Sequence, residues 1–292
     1  MKNLGFYNGK YDEMENMSIP MSDRVCFFGD GIYDATYSRN YKIFALDDHI
    51  NRFYNSAKLT EIELPYTKEE MKALLYEMLE KMDTGENFVY FQATRGTEPI
   101  RNHVFPEKEV KANIWINIYH RELVDVYKKV KLMTMEDTRF LHCNIKTLNL
   151  LPAVIASQRA KEKGCTETVF HRNGRVTECA HSNVHIIKDG CFITAPTDNL
   201  ILPGIARKHI IAACNRLGIP VKEEAYNLDT LRNADEIMIS SAGSLCIAAE
   251  ELDGSPCGGK APEILKKIQD EVLREFMEPT PGVHSDSRPS SQ

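Results

Sequence analysis

The first 120 residues set β-prone and helix-prone runs in an order that few folds accommodate. Leu4-Gly5-Phe6-Tyr7, the pair Asn8-Gly9 and Lys10-Tyr11 read as a hairpin, because Asn-Gly tolerates the positive φ that a two-residue turn demands. Residues 32–37 form a further β-prone run after the flexible Gly29-Asp30-Gly31. From residue 46 to about 58, Ile50, Phe53, Tyr54 and Ala57 fall on one helical face, with Asp47 or Asp48 available as a cap. A second helix is expected over 67–82, where Thr67 and Glu70 have capping-box spacing. Residues 88–94 and 112–119 are strand-like. The order β-β-α-α-β-β predicts a small α+β domain over residues 1–118.

Residues 119–128 read as a connector. Beyond it, strands are expected near 130–135, 166–171, 183–188, 191–195 and 236–240. Helices are expected over 149–163, closed by Gly164, and over 205–217, closed by Gly218 with Pro220 beyond. A short helix at 228–231 and a last one at 262–276 complete a larger domain over 129–277. The Pro-, Ser- and Gly-containing stretch 278–292 is expected to be disordered.

Composition narrows the function classes. The net charge is −6 and no long basic block occurs, which disfavours nucleic-acid binding. No window approaches the roughly 18 apolar residues of a membrane span. The N-terminal residues lack a signal-peptide core, so a cytoplasmic protein is the expectation. The 8 cysteines include no C-x-x-C pair and read as free thiols; Cys143 and Cys179 read as small buried residues.

Several segments carry polar chemistry, and each has an ordinary reading beside a functional one. Leu202-Pro203-Gly204-Ile205-Ala206 opens a helix whose N–H groups and dipole suit an anion such as phosphate. The turn Ser240-Ser241-Ala242-Gly243-Ser244 ends a strand and could cradle the same group. Alone, each segment is better read as an ordinary turn. Lys146 sits among Ile145, Leu148, Leu150 and Leu151. An amine taken out of water there would suit imine chemistry, although most lysines keep their head group in solvent. Glu178 could be structural or could hold a positive charge. Arg101 and His103 lie in a loop between strands, where an arginine fork suits a carboxylate. His181 and His185 would share a face of a strand, but no third ligand accompanies them, so no metal site is expected.

Taken together, these segments resemble the class IV, fold-type IV, pyridoxal-phosphate-dependent aminotransferases, and within them the D-amino-acid branch. The resemblance spans residues 3–276. It rests on Phe28-Gly29-Asp30-Gly31-Ile32-Tyr33, His49-Ile50-Asn51-Arg52, the run 90–97, Cys143-Asn144-Ile145-Lys146-Thr147-Leu148-Asn149, Thr177-Glu178 and Leu202-Pro203-Gly204-Ile205 in order. It implies a two-domain fold, a small α+β N-terminal domain followed by a mixed, barrel-like β domain with helices. It also implies that Lys146 holds pyridoxal 5′-phosphate as an imine and shuttles the α-proton. Glu178 would face the ring nitrogen, and Arg52, with Gly204, Ile205 and Ala206, would grip the phosphate. Leu202, Ser182, Asn183, Ser241, Ala242 and Gly243 would complete the cofactor site. Tyr33, Arg101 and His103 would trap the substrate carboxylate, the latter two reaching in from a second subunit of a homodimer. The implied reaction moves an amino group from a D-amino acid to a 2-oxo acid by a ping-pong mechanism.

The sequence also departs from the family pattern. Ala206, Ala242 and Gly243 stand where hydroxyl residues are usual, each lost hydroxyl being worth about 1 kcal/mol. Cys179, Ala180 and His181 replace glycine and small hydroxyl residues after Glu178. The alternatives on the same scaffold are a branched-chain L-amino-acid transaminase, an aminodeoxychorismate lyase, or a degenerate cofactor-binding protein without catalysis.

Overall fold

The computed structural model describes residues 2–278, so the expected disordered tail falls, but for Glu278, outside the described residues. The N-terminal elements are β1 (Asn3–Tyr7), β2 (Lys10–Asp12), α1 (Arg24–Phe28), β3 (Gly31–Arg39), β4 (Lys42–Ile43), α2 (Leu46–Leu59), α3 (Lys68–Leu79), β5 (Asn87–Thr94) and β6 (Asn113–His120). Their strands form a six-stranded antiparallel sheet in the order β2-β1-β6-β5-β3-β4. The two-residue period of β6 buries Ile114, Ile116 and Ile118 on one face. There they meet Ile50 and Phe53 of α2 and Met71 and Leu75 of α3. The opposite face carries aromatics: Tyr33 stacks on Tyr90 at 5.4 Å, and Tyr90 meets Trp115 edge-on at 5.4 Å.

The C-terminal elements are β7 (Val130–Glu136), α4 (Leu151–Glu162), β8 (Glu167–Arg172), β9 (Arg175–Cys179), β10 (Asn183–Lys188), β11 (Cys191–Thr194), α5 (Ile205–Arg216), β12 (Val221–Glu223), α6 (Leu228–Arg232), β13 (Glu236–Ser240), β14 (Ile247–Leu252), β15 (Ser255–Pro256) and α7 (Pro262–Met277). A nine-stranded mixed sheet runs β12-β11-β10-β13-β14-β7-β8-β9, with β15 on β14. The pairs β11–β12, β14–β7 and β7–β8 are parallel and the rest antiparallel. Helices α5 and α7 cover one face through Ile210, Ala213, Leu265, Ile268 and Val272. No helix among the described residues is long and apolar enough to cross a membrane.

Some expectations needed correction. Neither Asp47 nor Asp48 caps α2. Ala45, with φ of 47°, occupies that position, and the two aspartates lie in the first turn. There they favour the positive helix end, and Asp48 binds Lys208 (2.6 Å) and His209 (3.1 Å) of α5. Helix α4 starts at Leu151, two residues later than expected, with proline in its first turn. Sequence periodicity missed α1, β9 and β14. Helix α1 is one short turn, capped by Asp23 accepting from Val25 N at 3.0 Å. Strands β9 and β14 mix charged with apolar positions.

Thr67 does close a capping box: Glu70 N donates to Thr67 Oγ1 (3.2 Å), and Glu70 Oε2 accepts from Thr67 N (2.7 Å). Thr67→Ala removes the Oγ1 acceptor and is expected to cost about 1 kcal/mol of stability. Urea denaturation checks this through a lowered midpoint at unchanged slope.

Candidate active site

Backbone pairing places Lys146 where the two sheets meet. Its segment lies along the start of β3: Tyr33 N donates to Lys146 O (2.9 Å) and Leu148 N to Gly31 O (3.0 Å). Gly31 is required by this close approach, because a Cβ there would stand 2.5 Å from Ala93 O and 2.7 Å from Leu148 Cδ1. Asn149 Nδ2 anchors the far end on Phe28 O at 3.1 Å. So held, Lys146 Nζ lies 4.2 Å from the centroid of the Tyr33 ring.

Lys146 opens into a cavity of about 540 Å³ that Arg52, Glu178 and the 241–243 turn also line. Arg52 reaches it from α2, oriented by a carboxylate with no solvent exposure. Arg52 Nε and Nη2 donate to Asp34 at 2.9 and 2.7 Å, and His49 Nδ1 stands 2.7 Å from Asp34 Oδ1. Burial alone would raise the Asp34 pKa; Arg52 and His49 overcome it and hold the group well below the usual carboxylate range. His49 is itself pushed down by burial, partly offset by Asp34. The third contact, Arg52 Nη1 to Pro203 O, is long at 3.3 Å and brings the guanidinium to the entrance of α5.

That entrance is built for close approach. Asn183 Oδ1 lies 2.0 Å from where a Cβ on Gly204 would be. Gly204, the N-cap, and Ile205 and Ala206 of the first turn line the cavity at the start of α5, whose free N–H groups and dipole favour an anion. Ser241, Ala242 and Gly243 face the same space.

Glu178 occupies another wall, on β9. One carboxylate oxygen accepts from Arg139 Nη1, the other from Asn183 Nδ2 (3.0 Å) and Leu202 N (2.9 Å). Burial pushes its pKa up to about 7, against the pull of Arg139 and these donors. Arg139 is in turn held by Asp137 at 2.9 Å.

The cavity thus gathers Tyr33, Arg52, Lys146, Glu178, Ser182, Asn183, Leu202, Gly204, Ile205, Ala206, Ser241, Ala242 and Gly243. Within it, the Ser182 hydroxyl is committed to Glu167 Oε2 at 3.1 Å. Arg101 and His103 are not brought together with these residues: both are exposed on the 97–111 loop and pack on Phe28, at 4.7 and 5.0 Å. His181 and His185 do not share a strand face. His181 precedes β10, exposes its ring to the cavity and pairs with buried Glu167 at 2.6 Å, while His185 is fully buried in β10. Burial would lower the His181 pKa, but Glu167 outweighs it and raises it. Cys143 and Cys179 are buried, and burial raises both thiols, Cys143 to about 11. Sequence reasoning missed Asp34, Asp137 and Arg139. The acid-x-base spacing of Asp137 and Arg139 was visible, but such pairs are common on surfaces.

The residues fit a phosphorylated, cationic-ring cofactor. His49 Nε2 is buried without a partner on the cavity wall, and Glu178 is a buried carboxylate that a ring cation would stabilise. The class IV amino-transferase model matches residues 31–252, and the chain belongs to that family. It is 37% identical over 276 residues to a D-alanine aminotransferase of Listeria monocytogenes serotype 4b, covering 93% of this chain and 95% of that protein. It is 38% identical over 268 residues to a D-alanine aminotransferase of Staphylococcus haemolyticus, covering 91% and 95%. The branched-chain amino acid aminotransferase of Escherichia coli shares the fold with TM-score 0.85 at 19% identity, over 94% of this chain and 95% of that one. The branched-chain aminotransferase of Thermoproteus uzoniensis, solved with norvaline, gives 0.84 at 22%, again over 94% and 95%.

The Glu178 shift predicts a pH dependence in the cofactor-free protein. Its folded-state pKa of about 7 lies above the ordinary 4.5, so the folded state holds the extra proton between those values. Its contribution to stability therefore falls as the pH rises through that window. Glu178→Gln should flatten this slope, and thermal unfolding at stepped pH from about 4.5 to 8 checks it.

Proposed function

We propose that this chain transfers the amino group of a D-amino acid to a 2-oxo acid with pyridoxal 5′-phosphate, as a cytoplasmic homodimer. The observation that carries the reading is one cavity that joins the Lys146 amine, the buried Glu178 carboxylate and the Arg52 fork at a helix entrance. When bound there, the cofactor supplies an aldehyde for the amino group and an electron-withdrawing ring. Lys146 would be its attachment point, and the Lys146 amine would serve as the base that moves the substrate's α-proton. Glu178, oriented by Arg139 and Asn183, holds a proton at the ring nitrogen. Arg52, Gly204, Ile205, Ala206 and the 241–243 turn bind the phosphate, with Leu202, Ser182 and Asn183 around the ring. Tyr33 lies under Lys146 and faces the substrate.

In this reading Arg101 and His103 of the partner subunit complete the carboxylate trap. Their exposed loop fits that role. So do the exposed apolar side chains Ile100 (76%) and Val104 (64%) beside them and Leu151 (69%) and Val154 (60%) on α4, which a second subunit would cover. The two sheets support two domains, proposed as 1–118 and 129–277 joined by 119–128, with β6 of the first running on to His120. The D-amino-acid relatives are much nearer in sequence than the branched-chain structures, which favours a D-substrate.

Lys146→Ala is expected to lower transamination at least about a thousandfold; near-normal turnover contradicts the mechanism. Wild-type enzyme should prefer D-alanine over L-alanine and L-leucine in an oxo-acid assay. Preference for an L-substrate, or pyruvate release from aminodeoxychorismate without an acceptor, contradicts the substrate assignment. Mixing Lys146→Ala with Arg101→Ala subunits, each inactive alone, should restore activity, because only the hybrid dimer rebuilds an intact site.

A further inference from the structure

A buried chain of polar side chains runs beneath the cavity and ends at its wall. His185 is fully buried, with Nδ1 2.9 Å from Thr194 Oγ1 and Nε2 2.8 Å from Ser240 Oγ. Arg207, in the first turn of α5, donates from Nε to the same Thr194 Oγ1 at 3.2 Å. Its Nη2 is spent on Ala195 O (2.9 Å) and Glu223 Oε2 (2.7 Å). Arg207, Thr194 and His185 thus lead to Ser240, which lines the cavity.

The protons of this chain can be placed. Burial, with the Arg207 charge added, pushes the His185 pKa down to about 3. The ring is therefore neutral, with one donor and one acceptor nitrogen, while a guanidinium only donates. Thr194 Oγ1 accepts from Arg207, and two arrangements remain. In one, Ser240 donates to Nε2 and Nδ1–H donates to Thr194. The Thr194 proton is then stranded in a residue 1% exposed, with no further partner among the described residues, which is costly. In the other, Thr194 donates to Nδ1 and Nε2–H donates to Ser240 Oγ. The proton left over is then that of Ser240, which is itself only 2% exposed but, unlike Thr194, lines the cavity, where an acceptor bound in it can reach the hydroxyl.

The register shows where that hydroxyl stands. Ser240 pairs with Asn183 across β13 and β10, so their side chains share one face of the sheet. Asn183 lies directly under the entrance of α5, donating to Leu202 O at 3.0 Å and pressing on Gly204. Ser240 is therefore beside the anion-favouring helix entrance, where Ala206, Ala242 and Gly243 bring no hydroxyl.

We propose that Ser240 is a phosphate-binding hydroxyl of the cofactor site, and that Arg207, Thr194 and His185 are positioning residues that turn its proton toward the cavity. The proposal rests on the cofactor reading above and adds a residue to it. It gives back a hydroxyl donor to a phosphate cup short of them.

The test combines a tautomer measurement with two ligands that differ only in the phosphate. Nitrogen-15 NMR of the holoenzyme, with the His185 signal assigned through His185→Gln, should show Nε2 protonated and Nδ1 bare. Ser240→Ala should weaken pyridoxamine 5′-phosphate binding about tenfold and leave pyridoxamine binding unchanged. Thr194→Val should weaken the phosphorylated ligand likewise, and the double variant should bind no worse than Ser240→Ala alone. A proton on Nδ1, wild-type affinity in Ser240→Ala, or equal losses for both ligands overturns the proposal. Wild-type protein that binds neither ligand overturns the cofactor reading beneath it, a result distinct from wild type and Ser240→Ala binding equally well.

Discussion

Asp34 is a carboxylate with no solvent exposure, and the site is arranged around meeting its charge. It sits on β3 and is answered by Arg52 and His49 of α2. Removing one partner of such a buried pair leaves an uncompensated charge and costs about 3–5 kcal/mol. Strand and helix are therefore held in one relative position, and the guanidinium is fixed on the cavity wall. The same strand presents Tyr33 on its other face and carries the backbone that clamps Lys146. One short stretch of β3 thus positions the Arg52 guanidinium and the Lys146 side chain at once.

A second buried carboxylate, Glu178, is treated in the opposite way. Asp34 meets the Arg52 guanidinium and the His49 ring and is driven down; Glu178 shares Arg139 with Asp137 and is pushed up to about 7. Environment separates the two roles. Asp34 is a permanent charge that orients Arg52. Glu178 is short of positive charge, which gives a ring cation a reason to bind beside it. Arg139 keeps the Glu178 carboxylate aimed, so the residue pair works as a unit although only one member faces the cavity as an acceptor.

Much of this was legible from residue order. The helices with a regular apolar stripe, α2 and α7, and strands with clean alternation such as β6, follow from periodicity. Elements with mixed faces did not: β9, which carries Glu178, and β14 are set by packing rather than by pattern. Lys146, Arg52 and Glu178 stood out through motif resemblance, whereas their orienting partners Asp34, Asp137 and Arg139 did not, because a charge in a strand or loop looks the same buried or solvated. The fate of His181 also depended on tertiary context, since its partner Glu167 lies on β8, remote in sequence. Arg101 and His103 illustrate the converse case. Their spacing is plain in the sequence, but one chain alone leaves them exposed, outside the cavity.

In the proposed function, Lys146 is the residue joined to the cofactor. Borohydride reduction of the protein loaded with pyridoxal 5′-phosphate, followed by proteolysis and mass spectrometry, tests it most directly. A phosphopyridoxyl adduct is expected on the peptide containing Lys146. An adduct on another lysine, or none, would contradict it.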